Sequence, residues 1–176
     1  MTINYRRSVD PMSQTGRHYL SDSLTPWWGY WLCATPITIA FDNLPPQGDI
    51  IARLEGTSAG TSCWFRLTLN DFLNLKNYSV GLWTKCSAAA QSLRLFIGTD
   101  TGLGFATNYY WIYTGGSAPT SWDYKSFNLT DTLPYPPTSY VSRDIAISRV
   151  KYLIFYFTTS VGDKIETAGV NIRRLP

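Results

Sequence analysis

The chain has one histidine, His18. A histidine-based triad would have to be assembled from that residue alone, inside a polar N-terminal stretch unsuited to holding precise geometry. Cysteine is equally scarce, with Cys33, Cys63 and Cys86 only, and no C-x-x-C pair. That spacing excludes the common structural zinc motifs. An odd count leaves at least one thiol unbridged within a monomer. A Cys63–Cys86 bridge and three small buried apolar residues are both open readings. The G-x-S-x-G elbow, the P-loop and H-E-x-x-H are absent as well.

Charge is also in short supply. Charged residues make up 15% of the chain, against about 25% in ordinary globular chains. Hydrophobic residues make up 44%, a balance that disfavours disorder. Net charge is +3, and the densest basic groups are Arg6-Arg7 and Arg173-Arg174. A nucleic-acid footprint needs a clustered basic face, so nucleic acid is not an expected partner. No apolar run approaches the roughly 20 residues of a membrane span. Met1 to Leu24 lacks the apolar stretch of a secretory signal. The expectation is a chain with neither a Sec signal nor membrane insertion. Of the 12 acidic residues, Asp42, Asp49, Asp71, Asp100, Asp131 and Asp163 fall at turn signals, where Asp bonds nearby backbone amides. A paired-carboxylate glycosidase is therefore a weak reading. No catalytic residue, metal ligand set or cofactor is expected.

Large flat side chains are abundant: 7 Trp, 12 Tyr and 8 Phe in 176 residues. That exceeds what one small core needs, and points to rings on a surface, groove or interface. Residues 1–25 carry little periodicity and read as an extended polar arm that packs irregularly or reaches a neighbour. Residues 26–176 read as one domain. Within it, short segments alternate apolar and polar between Gly, Pro, Asn and Asp turns. The expected strands include Asp49 to Leu54, Cys63 to Leu69, Tyr78 to Thr84, Leu93 to Ile97, Tyr109 to Tyr113, Lys125 to Leu129, Val150 to Thr158 and Val170 to Leu175. A bend is expected at Asn70-Asp71, with a helical turn after it. About nine such strands and no long 3.6-residue stripe predict an all-β antiparallel sandwich of jelly-roll type, with less than roughly a tenth helix.

Alternation also predicts a site. With Ile112 inward, Tyr109, Trp111 and Tyr113 fall on the opposite face. By the same argument Trp83, Arg94 and Tyr156 point outward. If their strands are neighbours, Trp83, Arg94, Tyr109, Trp111 and Tyr113 build one face of flat rings around an arginine. A pyranose offers an apolar C–H face to such rings, and its hydroxyls suit planar donors. Burial of the same rings against another subunit is the structural alternative.

The stretch Leu69-Asn70-Asp71-Phe72-Leu73-Asn74-Leu75-Lys76-Asn77-Tyr78-Ser79-Val80-Gly81-Leu82-Trp83 resembles a strand of galactose-binding-like jelly-roll modules, the group that includes carbohydrate-binding modules. Ser92 to Asp100 resembles their next strand, and Asp144 to Phe157 their penultimate one. Val161-Gly162-Asp163-Lys164-Ile165 followed by Val170 to Leu175 is similar to their closing hairpin. The resemblance covers roughly residues 64–176 and implies an eight-to-ten-strand jelly roll. These modules often hold a structural calcium with an Asp just before Asn-Ile-Arg. Val170 stands there in this chain, so no calcium site is carried over. The chain also resembles the jelly rolls of viral capsids and phage tail appendages. The expected function is non-catalytic binding of a surface carbohydrate by a virion or tail-appendage component at an extracellular surface. The alternatives are a structural coat subunit, self-assembling as a homo-oligomer, and a carbohydrate-binding module of a secreted glycoside-active enzyme.

Overall fold

A computed structural model describes residues 17–19, 27–28, 38–46, 50, 52–88, 92–98, 109–113, 117, 119–129 and 147–176. Ile147 and Ser148 are helical, and the strands are β1 Arg17–Tyr19, β2 Trp27–Trp28, β3 Thr38–Ala40, β4 Arg53–Thr57, β5 Ser62–Leu73, β6 Tyr78–Cys86, β7 Ser92–Gly98, β8 Tyr109–Tyr113, β9 Asp123–Asn128, β10 Val150–Thr158 and β11 Lys164–Arg174.

They form two antiparallel sheets. Sheet I runs β3-β4-β11-β6-β9, with β1 also beside β11, and sheet II runs β2-β5-β10-β7-β8. This is the all-β jelly-roll sandwich that the alternating pattern predicts. Among the described residues, consecutive strands mostly change sheet, and only β3–β4 and β7–β8 pair with their chain neighbour.

The core lies between the sheets and follows the two-residue period. Cys63, Phe65, Leu67 and Leu69 of β5 meet Leu153, Phe155 and Phe157 of β10 and Leu93, Leu95 and Ile97 of β7. Sheet I answers with Leu54, Val80, Leu82, Phe127, Ile165 and Val170. Five of the largest wholly buried side chains are phenylalanines. Phe65 and Phe157 meet edge to face with centroids 5.7 Å apart, an arrangement ring quadrupoles favour.

Several sequence expectations are corrected. The bend at Asn70-Asp71 is a bulge within one long strand, not a break before a helical turn. From Thr68 to Leu73 β5 advances five residues while β10 advances two, Tyr152 to Val150. The strand expected at Asp49 to Leu54 begins at Arg53 and runs through Gly56. The closing hairpin is instead a crossover, since β10 is in sheet II and β11 in sheet I. β11 is continuous through Val170, with a bulge between Ala168 and Asn171 that puts Gly169 at φ 59°. Glycine takes that conformation without a Cβ penalty. Within the expected irregular arm, Arg17–Tyr19 pairs in register with Arg173, Ile172 and Asn171. The arm's other residues lie outside the described set. Cys63 is disulfide-bonded, and Cys86 is a buried thiol. A Cys63–Cys86 bridge is thereby excluded, as is the reading of three plain apolar cysteines; Cys33 lies outside the described residues.

Candidate functional site

The chemistry-bearing side chains divide between the two outer faces. On sheet II, cross-strand register builds three rungs on the side away from the core. One carries Trp64, Tyr156 and Arg94; the next Arg66, Ile154 and Phe96; the third Thr68 and Tyr152.

At the centre, Phe96, Tyr152 and Ile154 form a second apolar cluster, with Trp64 and Tyr156 packed against it. Trp64 stacks on Phe96 at 5.4 Å and 17°, and meets Tyr156 edge-on at 5.0 Å. Two arginines lie against tyrosine rings, Arg66 Cζ 5.1 Å from the Tyr152 centroid and Arg94 Cζ 5.6 Å from that of Tyr156. Beyond the β5 bulge, Arg149 and Lys151 flank Phe72 at 5.0 and 5.5 Å. Phe72 is 44% exposed. The cluster's centre is closed, since Phe96 is 1% exposed. Around that centre, Trp64, Tyr156, Arg66 and Arg94 are half-buried.

The five residues singled out in the sequence are therefore brought together only in part. Arg94 pairs in register with Tyr113, and Phe96 and Gly98 with Trp111 and Tyr109. The side chains of Tyr109, Trp111 and Tyr113 lie outside the described set. Trp83 does not join them, because β6 belongs to sheet I. Trp64, Arg66 and Phe96 were not among the residues assigned to the site from the sequence. β5 and β7 meet only through β10, and that adjacency leaves no mark in the sequence.

The outer face of sheet I is of a different kind. Glu55 and Glu166 lie directly opposite each other, a pairing that repels unless cations intervene. Arg53, 5% exposed, supplies one: it forms ion pairs with Glu55, with Glu166 at 2.7 Å and with Asp42 at 3.1 Å. Lys164 reaches Glu55 at 3.0 Å and Lys85 reaches Glu166 at 3.5 Å. Burial raises the Glu55 pKa, but hydrogen bonds and charge from Lys164 and Arg53 outweigh it and bring the group below the ordinary value. Asp42 is lowered by its own backbone amide and then by Arg53, and Asp123 by its hydrogen bond with Lys125. In all three the ionised form is favoured. Nearby, Tyr124 lies across Gly81 and donates to Asn171 Oδ1 at 2.9 Å, with Trp83 tilted against it at 5.6 Å.

Among the described residues, no group of three or more His, Cys, Asp or Glu side chains could hold a metal ion. No helix among them is long and apolar enough to cross a membrane.

No family model matches the chain, and no curated protein matches it. Solved structures do share its fold. A family 11 carbohydrate-binding module from Clostridium thermocellum, in complex with a β-1,3-1,4-mixed-linked tetrasaccharide, superposes with TM-score 0.60 at 14% identity. The match covers 92% of this chain and 97% of that one. A family 30 module of a C. thermocellum cellulosomal cellulase gives TM-score 0.59 at 12% identity, covering 90% of this chain and 97% of that one. A CBM22-1 xylan-binding domain from Paenibacillus barcinonensis gives 0.52 at 14% identity, covering 90% and 92%. At such identities the likeness is one of fold.

Proposed function

We propose that this chain is a non-catalytic carbohydrate-binding module whose outer sheet II face holds a glycan. The observation that carries the reading is the pair of arginines set against tyrosine rings beside half-buried Trp64. Rings offer apolar surface to sugar C–H groups, and guanidinium forks offer fixed donors to hydroxyls. The module-like solved structures support this reading over a virion or tail-appendage role.

The test is affinity electrophoresis against a panel of soluble polysaccharides, with Trp64→Ala and Trp111→Ala beside the parent. Loss of a ring contact is worth about 1–3 kcal/mol by analogy with other ring stacking, or roughly one to two decades in Kd, with the fold retained. Retardation by no polysaccharide in the panel, or full retention by both variants, would refute the reading.

A further inference from the structure

The outer face of sheet I is crossed by a strap. β3 and β9 lie at opposite ends of the strand order β3-β4-β11-β6-β9. Asn43 lies just past β3 and Trp122 just before β9, yet Trp122 Nε1 donates to Asn43 O at 3.0 Å. Asp42 is held from the other side: Arg53 Nε donates to its carbonyl at 2.8 Å and Arg53 Nη2 to its carboxylate at 3.1 Å. Between β4, which carries Arg53, and β9 stand β11 and β6, a span of about 14 Å at the usual strand spacing. Two long side chains reaching inward close such a span, so Asp42-Asn43 sits above β11 and β6.

The rung beneath carries Arg53, Ala168, Trp83 and Tyr124. Arg53, Ala168 and neighbouring Glu166 are at most 5% exposed, although they face away from the core. A strap over β11 and β6 supplies cover of that kind. Half-buried Trp83 is tilted against Tyr124, and its Nε1 is buried with no acceptor among the described residues. A desolvated indole donor without a partner is costly. A ligand oxygen would remove that cost.

The charges around Trp83 are already committed. Arg53, Lys85 and Lys164 each pair with Glu55 or Glu166. An ionic ligand would have to break one of these pairs. A neutral ring with hydroxyls would not: its C–H face suits the Trp83 indole, and its oxygens suit Nε1.

We propose that sheet I holds a second, neutral-sugar site on Trp83, and that residues 41–46 are the lid over it. The site is separate from the sheet II face and rests on the carbohydrate-binding reading only for the class of its ligand. The lid is lightly held. Of its six residues only Pro45 is buried. Phe41 is 67% exposed and the Asp42 side chain 81%. A lid that is mostly closed lowers the apparent affinity of the site by the fraction of time it is open.

The experiment is calorimetric titration of the full chain with a soluble neutral β-glucan oligosaccharide. The proteins are the parent, the lid-released double variant Asp42→Ala/Trp122→Phe, and that double variant with Trp64→Ala or with Trp83→Ala added. Lid release is expected to tighten binding at sheet I roughly tenfold or more. It should reveal a second equivalent that survives Trp64→Ala and is lost with Trp83→Ala. A released variant whose whole binding is lost with Trp64→Ala overturns the second site and leaves the sheet II reading standing. Binding wholly lost with Trp83→Ala overturns the sheet II reading instead and leaves the second site. No binding by any of these proteins overturns the second site, and the polysaccharide panel then decides the sheet II reading. Where the released variant fails to fold, the indole N–H signals of the parent decide. Excess oligosaccharide should shift the Trp83 signal, identified by its loss in Trp83→Phe, and speed hydrogen exchange at the Trp122 indole. A Trp83 signal that does not move overturns the proposal.

Discussion

At the scale of single residues, the tightest constraint is at Gly81. A Cβ there would stand 1.9 Å from the Tyr124 hydroxyl oxygen, so the tyrosine could not keep its place over the strand or its bond to Asn171. Gly81→Ala is expected to destabilise the fold by about 1–3 kcal/mol, as overpacking does. In a Tyr124→Ser background the same change should cost much less, because the clashing ring is gone. Urea melts of the four proteins check this, and simple additivity would contradict it. Arg53 is constrained through charge instead. Arg53→Ala strips Glu166, a 6% exposed side chain, of its closest cation. Breaking one partner of a buried pair costs about 3–5 kcal/mol; Lys85, 3.5 Å away, keeps the expectation at the lower end. A loss under 1 kcal/mol by denaturant titration would contradict this.

At the scale of elements, individual strands were legible in the sequence and their partners were not. Val150–Thr158 and Tyr109–Tyr113 match their expected limits, because period-two alternation is a local property of the chain. Adjacency is not local. Trp83 and Arg94 are close in sequence, yet the chain crosses from sheet I to sheet II between them, so the expected single face loses Trp83. The bulges were equally hidden. Leu73 packs against the core in spite of the residues inserted after Thr68, and nothing in Asn70-Asp71-Phe72 distinguishes a bulge from the end of a strand. The short β1 was missed because three residues are too few to show alternation; it is placed by β11, whose edge beyond Ala168 is no longer occupied by β4. That edge makes β1 part of the sheet. Deleting Met1 to Tyr19 is expected to lower stability by about 1–3 kcal/mol, the worth of a few exposed ladder bonds. An unchanged urea midpoint would show that β1 contributes nothing to the sheet.

At the scale of the whole molecule, the outer face of sheet I is held by ion pairs and that of sheet II by packed rings. The two should therefore respond differently to acid. On sheet I, Glu55 and Asp42 both have folded pKa values below their ordinary values of 4.5 and 3.8. A group whose pKa is depressed by folding contributes stability above its unfolded pKa, and loses it as pH falls through the folded value. Stability is accordingly expected to be level from neutrality down to about pH 5, then to fall as these carboxylates protonate. Glu55→Gln should flatten part of that acid limb, since its charge is held by Lys164 and Arg53. Trp64→Ala, on the other sheet, should leave the shape of the limb intact while lowering it as a whole. Urea unfolding followed between pH 2.5 and 7 reads both effects. Stability that rises as pH drops from 5 to 3 would mean that repulsion between Glu55 and Glu166 outweighs their attraction to Arg53. The account of sheet I as a face neutralised from within would then be wrong.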